Sequence, residues 1–273
     1  MIEMTDQTGF TFSLQQPARS IVSLVPSITE LLSDLQLDHE VKGITLYCVH
    51  PEHWKHSKMR IGGTKKIKHN LIESLNPDLI LANKEENLKE DVEKLREKFP
   101  VYTSEVKTLD NALEMISHIG LLTGKTNQSK ELTQSIKAAF QKLNESIAKK
   151  QKVKALYLIW KNPFMSVGDD TFIHHLMERA GLINVAGNYN RYPEISEEEI
   201  KNSGAELVLL SSEPFPFREK HAAEIQKIMP SAKVMLADGT YFSWYGSRLK
   251  NAPGYLLELR KQIDTIHTFE AQS

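Results

Sequence analysis

The chain has only one cysteine, Cys48, so no internal disulfide can form, and that scarcity suits a reducing compartment. It has no run approaching the roughly 20 apolar residues of a membrane helix. Its opening stretch, MIEMTDQTGFTFSLQQPARS, lacks the apolar segment of a secretory leader; the expectation is a soluble protein, cytoplasmic unless truncated. It has no excess of basic charge, 34 Lys and Arg facing 35 Asp and Glu, which argues against a nucleic-acid binder. No G-x-S-x-G nucleophile elbow occurs. Gly120-Leu-Leu-Thr-Gly124-Lys125-Thr126 resembles a phosphate loop, but it has three residues between the glycines where four are needed, and it follows a helix. What is present is an ordinary globular composition, 40% apolar and 25% charged. The 273 residues suit one large domain or two of about 100–150 residues.

Against that plain background one segment recurs. Residues 70–85, NLIESLNPDLILANKE, are echoed by residues 198–213, EEIKNSGAELVLLSSE, at a constant offset of 128. Ile72 matches Ile200, Leu79 matches Leu207, Leu81 matches Leu209 and Glu85 matches Glu213, with Asp78 facing Glu206. Each copy reads as a short amphipathic helix, a tight turn and a buried strand. An offset of domain length suggests two lobes of one topology rather than a solenoid, whose periods are about 20–50 residues. Two like lobes would leave a ligand cleft.

The surrounding pattern alternates strand and helix. Thr11–Leu14 and, after Pro17, Ile21–Val25 read as an opening hairpin, with Thr8–Gly9 a plausible turn. Ser27-Ile28-Thr29-Glu30 reads as a capping box that starts a helix through Leu31, Leu32 and Leu35. Strands are expected at Val41–Leu46, Leu79–Ala82 and Val101–Thr103, with helices near 69–75, 87–98 and 110–123. This is the βαβ order of a parallel sheet. In residues 126–150, Leu132, Ile136, Phe140, Leu143 and Ile147 form one helical stripe without Gly or Pro. Such a helix is a rod of roughly 37 Å, read as a stiff spine. The alternation then resumes with Val153–Trp160, a helix near 171–180, the second repeat copy, a helix at 219–228, a strand at Lys233–Ala237 and a helix from Pro253 to His267. The expected fold is α/β: two Rossmann-like lobes with parallel sheets, residues 1–125 and 151–273, joined by one long rigid helix over 126–150, with the cleft between lobes.

Ligands of open α/β sheets bind beyond the carboxyl ends of the strands. The segments there are Tyr47-Cys48-Val49-His50-Pro51-Glu52-His53-Trp54, Asn83-Lys84-Glu85-Glu86-Asn87, Trp160-Lys161-Asn162-Pro163-Phe164, and Asp238 to Gly246 with Tyr241, Phe242, Trp244 and Tyr245. The three tryptophans fall in these segments, which predicts an aromatic-walled site for a large flat ligand. Cys48, His50, His53 and His56 form C-x-H-x-x-H-x-x-H, with soft and borderline metal ligands. A loop of this polarity is commonly solvated, so no dedicated metal site is expected; an axial contact from His50 or Cys48 to a metal within a bound chelate is the narrower possibility. Cys48, His50, Lys84 and Glu85 are also the groups an enzyme on this architecture would draw on.

These segments resemble the class III, helical-backbone substrate-binding proteins of the iron-complex and vitamin B12 ABC importers, over nearly the whole chain. Arg19-Ser-Ile-Val-Ser-Leu-Val-Pro-Ser27-Ile-Thr-Glu30, Arg60-Ile-Gly-Gly-Thr64 and Leu75-Asn-Pro-Asp-Leu-Ile-Leu81 are similar to the family's first lobe. Asn162-Pro-Phe-Met-Ser-Val-Gly168, Ala180-Gly181 and Pro193-Glu-Ile-Ser-Glu-Glu-Glu199 are similar to its second. The cobalamin-binding branch is the most similar. The resemblance implies a monomeric, non-enzymatic binding protein with no covalently bound cofactor. Its ligand would be cobalamin or another corrinoid first, then a ferric siderophore or haem. By position Tyr47, His50, Thr64, Trp160 and Phe242–Trp244 would face it; cobalamin binders of the family carry tyrosine and tryptophan where this chain has His50 and Thr64. The family is periplasmic or lipid-anchored and docks on an ABC permease through one glutamate per lobe. Glu198 corresponds to the second; the first corresponds to uncharged Asn70, with Glu73 one turn on as a substitute. The alternative is a cytosolic corrinoid- or metal-handling enzyme or chaperone on the same fold.

Overall fold

The computed structural model describes residues 1–270, and side chains up to residue 265. No helix among the described residues is long and apolar enough to cross a membrane. The chain forms two compact units: Met1–Ile136 with Trp244–Arg248, and Lys137–Ser243 with Leu249–Ser273.

Unit 1 opens with β1 (Ile2–Thr5) and β2 (Thr11–Leu14), paired antiparallel as a hairpin. The strand expected to partner β2 is instead part of the main sheet. The sheet strands are β3 (Ile21–Ser23), β4 (Val41–Ile44), β5 (Met59–Arg60), β6 (Leu79–Asn83) and β7 (Val101–Ser104). They run parallel in the order β5-β4-β3-β6-β7. Every residue of β3, β6 and β7 is buried, as in a parallel sheet covered on both faces. The connecting helices are α1 (Pro26–Asp34), α2 (Trp54–Ser57), α3 (His69–Leu75), α4 (Lys89–Arg96) and α5 (Leu109–Leu122).

The expected capping box at Ser27 does not form. Pro26 already begins α1, and extended Val25 is its N-cap without a side-chain cap bond. Proline tolerates the first helical turn and holds the residue before it in the extended region, so the helix starts one residue earlier. Glu30 is thereby free of capping and bonds Arg248 instead.

The stripe helix α6 (Thr126–Ile147) is continuous, and the division between units falls within it, after Ile136. Unit 2 contains β8 (Val153–Leu158), β9 (Phe164–Met165), α7 (Phe172–Arg179), β10 (Leu182–Asn184), β11 (Glu194–Ile195), α8 (Glu197–Asn202), β12 (Leu207–Ser211), α9 (Glu219–Ile228), β13 (Lys233–Ala237), α10 (Thr240–Ser243) and α11 (Ala252–Glu270). Its sheet is parallel, in the order β10-β8-β12-β13; β9 and β11 form a separate antiparallel pair. β3 lies between β4 and β6 as β8 lies between β10 and β12, so β3, β4, β6 and β7 correspond to β8, β10, β12 and β13, and β5 has no counterpart in unit 2.

The sequence repeat maps onto this correspondence. Ile72 and Ile200 are both fully buried, and Leu79 and Leu207 open β6 and β12. Between helix and strand, Asn76 (φ 41°) and Gly204 (φ 66°), again 128 apart, take the left-handed conformation that ends a helix with little strain in Gly or Asn. At the strand ends the Asn83 carboxamide oxygen accepts from Glu85 N at 2.9 Å and the Ser211 hydroxyl accepts from Glu213 N at 3.3 Å. One local turn is thus written with two residue types.

Candidate functional site

In unit 1 the chain leaves β3 toward β4 and β5 on one side and returns for β6 on the other, and in unit 2 it leaves β8 toward β10 and returns for β12. That reversal opens a crevice at the strand carboxyl ends, where α/β folds bind ligands.

In unit 1 this edge is formed by residues 45–50 after β4, Ile61–Thr64 after β5, Asn83–Asn87 after β6, and the inserted segment 244–248. Residues 45–50 alternate sharply. Tyr47 is 62% and Leu46 55% exposed, and Val49 and His50 are exposed, whereas Cys48 is 0% exposed. The Cys48 sulfur lies 3.0 Å from the Thr29 hydroxyl and 3.2 Å from that of Thr45. Burial pushes the thiol pKa up, against the opposing bonds from Thr29 and Thr45, so the sulfur stays protonated and is poorly suited to ligation. Cys48 therefore leaves the ligand-facing set. The C-x-H-x-x-H-x-x-H run does not converge either: Cys48 points inward, and His53 turns to Asp38 at 3.2 Å. Among the described residues no group of three or more His, Cys, Asp or Glu could hold a metal ion.

The inserted segment backs His50. The Trp244 ring lies edge-on to His50 at 6.0 Å, and the Arg248 guanidinium lies 4.5 Å from the Trp244 ring centre. Arg248 in turn donates to both carboxylate oxygens of Glu30, at 3.0 and 2.5 Å. Trp244 and Tyr245 are largely buried, so they support His50 more than they form a wall. Trp54 is core: it is buried and donates its indole N–H to Asp38 at 2.8 Å.

Two asparagines, unassigned from sequence, tie the unit 1 loops together. Buried Asn87 accepts from Asn83 N at 2.9 Å and donates to the carbonyls of Thr64 at 3.0 Å and Leu24 at 3.3 Å. One carboxamide thereby joins the ends of β3, β5 and β6, and Thr64 itself is buried. Lys84 is exposed and pairs with Glu105 at 2.8 Å. Burial would raise the Glu105 pKa, but Lys84 and Lys107 outweigh it and hold it low.

In unit 2 the aromatics divide into two groups. Phe242 is 0% exposed and packs on Tyr157 at 5.0 Å; Tyr241 stacks on Tyr255 at 4.5 Å. Phe242 is core and leaves the ligand-facing set. Trp160, 38% exposed, lies edge-on to Phe215 at 5.7 Å, and Phe215 contacts Phe217 at 4.8 Å. Phe215 had no sequence signal, because it follows β12 after a turn rather than ending a strand.

The rim residues also differ. Asn70 is exposed, in the first turn of α3. Glu73 is exposed but pairs with Lys98 at 2.8 Å. Glu198 is exposed in the first turn of α8, whose neighbouring Glu199 closes a capping box with Ser196 and accepts from the Tyr189 hydroxyl at 3.0 Å.

Known proteins share this architecture. The vitamin B12-binding protein of Vibrio cholerae is 23% identical over 197 residues, 71% of each chain. An uncharacterized ABC transporter substrate-binding lipoprotein of Bacillus subtilis is 23% identical over 208 residues, 73% of this chain and 65% of the relative. Among solved structures, the periplasmic vitamin B12-binding protein of Vibrio cholerae matches with a TM-score of 0.79 at 21% identity, covering 90% of this chain and 97% of that one. The periplasmic heme-binding protein of Roseiflexus sp. RS-1, in apo form, matches with a TM-score of 0.76 at 19% identity, covering 89% and 97%. These likenesses establish the α/β fold with its two parallel sheets. The family model for periplasmic binding proteins matches residues 21–234, most of the chain, and the chain is a member of that family.

Proposed function

We propose that the protein is the non-enzymatic substrate-binding component of an ABC importer and that it takes a metal-chelate ligand. Cobalamin or another corrinoid is the first choice, then a ferric siderophore or haem. The observation that carries this reading is the exposed set Leu46, Tyr47, Val49 and His50 on the unit 1 strand-end edge. Apolar surface left in water forgoes about 25 cal/mol per Å², and a contiguous exposed patch marks a surface that something covers. His50 adds an imidazole, a suitable axial ligand for chelated cobalt or iron. In unit 2, Trp160 on Phe215 offers a second aromatic surface. The names of the relatives support the ligand class, vitamin B12 and heme, and the Bacillus subtilis relative supports a permease partner.

Docking on that permease would be one-sided. Glu198 offers a carboxylate to a permease arginine, a pairing that fixes orientation. Asn70 offers none, and Glu73 is already paired with Lys98.

The enzyme alternative draws on Cys48, His50, Lys84 and Glu85. Cys48 is buried and Lys84 is paired with Glu105, which speaks against a reacting centre built on these two and favours the binding reading. Calorimetric titration with cyanocobalamin, haemin and a ferric hydroxamate siderophore tests it. Saturable binding of at least one at micromolar concentration is expected; no heat from any of the three, with the protein folded, would sink the proposal.

A further inference from the structure

We propose that Arg60 is the positioning residue of the unit 1 ligand face: it fixes the backbone of residues 45–50 so that Leu46, Tyr47, Val49 and His50 are presented together. The inference rests on the binding reading above and adds to it the device that orders the surface.

Arg60 ends β5, an edge strand of two residues. Its Nη1 donates to the Cys48 carbonyl at 3.2 Å and its Nη2 donates to the Leu46 carbonyl. A planar guanidinium can bridge two carbonyls in a fixed geometry; a lysine ammonium cannot fix both in that way. The other fastenings act from different sides. Leu46 N donates to the Gly62 carbonyl at 2.8 Å, Cys48 N donates to the Thr45 carbonyl at 3.3 Å, and the Cys48 sulfur sits between the Thr29 and Thr45 hydroxyls. Cys48 thus anchors the loop inward while Arg60 holds its carbonyls.

The outward side chains cannot do this for themselves. Of residues 46–50 only Cys48 is buried, and a segment with few buried apolar contacts opens easily. Tyr47 has one defined seat: a Cβ on Gly63 would come within 3.1 Å of its ring. The glycine leaves room for the ring, but the ring reaches it only while the backbone at 46–48 is held. Ordering the loop before the ligand arrives lowers the entropic cost of binding. Arg60 then acts on affinity through the loop, without touching the ligand.

Two readouts test this, one of which needs no ligand. In ligand-free protein, R60Q should raise amide hydrogen exchange in residues 46–50 by about tenfold, the equivalent of one lost net hydrogen bond, with β3 and β6 unchanged and R60K intermediate. Unchanged exchange in the loop, or an equal rise throughout unit 1, would overturn the proposal. In titrations with cyanocobalamin, R60Q should weaken binding about tenfold, R60K should recover part of it, and R60Q combined with Y47A should lose less than the sum of the two single losses, because the loop then presents one contact fewer. Fully additive losses would also overturn it, because Arg60 would then act by a route other than the loop. Failure of the unmodified protein to bind cyanocobalamin, haemin or a ferric hydroxamate would sink the binding reading, while the exchange measurement would still decide whether Arg60 orders the loop.

Discussion

The α3–β6 segment of unit 1 and the α8–β12 segment of unit 2 are alike in what holds a backbone and unlike in what they expose. They share a buried isoleucine, a left-handed residue between helix and strand, a leucine opening the strand and a side chain that caps the strand-end turn. They differ at the helix start, His69 and Asn70 against Glu197 and Glu198. Their neighbouring strand-end surfaces differ too: an aliphatic and tyrosine loop in unit 1, a tryptophan on a phenylalanine in unit 2. Positions set by core volume or by φ are alike in the two segments, while the exposed end positions differ.

The comparison can be broken first at its core. I72A and I200A should each destabilise by about 2–5 kcal/mol in denaturant unfolding, with similar values; a large effect at one site alone would show that the two segments are not equivalent supports. Next come the strand-end surfaces. Y47A and W160A should each weaken cyanocobalamin binding by at least tenfold, about 1.4 kcal/mol, and leave the unfolding midpoint near its original value. A loss at only one would confine recognition to one unit.

The left-handed pair gives a smaller effect. G204A should cost about 1 kcal/mol, because a Cβ disfavours that conformation, whereas N76G should be near neutral or slightly stabilising; equal destabilisation by both would contradict the shared turn. The smallest effect is specific to unit 1. Burial lowers the His118 pKa, against the pull of Glu114 and Asp6, while its ring accepts or shares a proton with the Tyr102 hydroxyl at 3.0 Å. The unfolded chain then takes up that proton at higher pH than the folded one. Stability should therefore fall as pH drops through about 6.5, and level off once folded His118 is itself protonated. Unfolding at pH 7.5 and 5.5 should show a smaller difference in H118Q than in the unmodified protein.

Much of the fold was legible because parallel strands buried on both faces read as short apolar runs between amphipathic helices. Leu79–Ala82, buried throughout, and the amphipathic helix at 219–228 show this. The opening hairpin was not, since Ile2–Thr5 carries only two apolar residues to mark a strand. The helix start at Ser27 misled because its capping pattern is genuine in sequence but pre-empted by Pro26. Position beyond a strand end was enough to single out Tyr47, His50 and Trp160, the residues that are exposed there. It could not tell Cys48 or Phe242 from them, because which side chain of a loop turns inward depends on packing from distant residues, Thr29 for one and Tyr157 for the other. Arg60 and Asn87 act on backbone carbonyls, partners that leave no pattern in a sequence. Nor did anything local mark residues 244–248 as companions of Glu30 and His50, 218 positions away in the case of Arg248 and Glu30.

The central claim is that a metal chelate is recognised at the strand carboxyl ends, and amide hydrogen exchange with and without saturating cyanocobalamin tests it most directly. The account predicts protection concentrated in residues 45–50 and 83–87 of unit 1 and in 159–163 and 211–215 of unit 2. Protection elsewhere with those segments unchanged, or none at any cobalamin concentration, would contradict it.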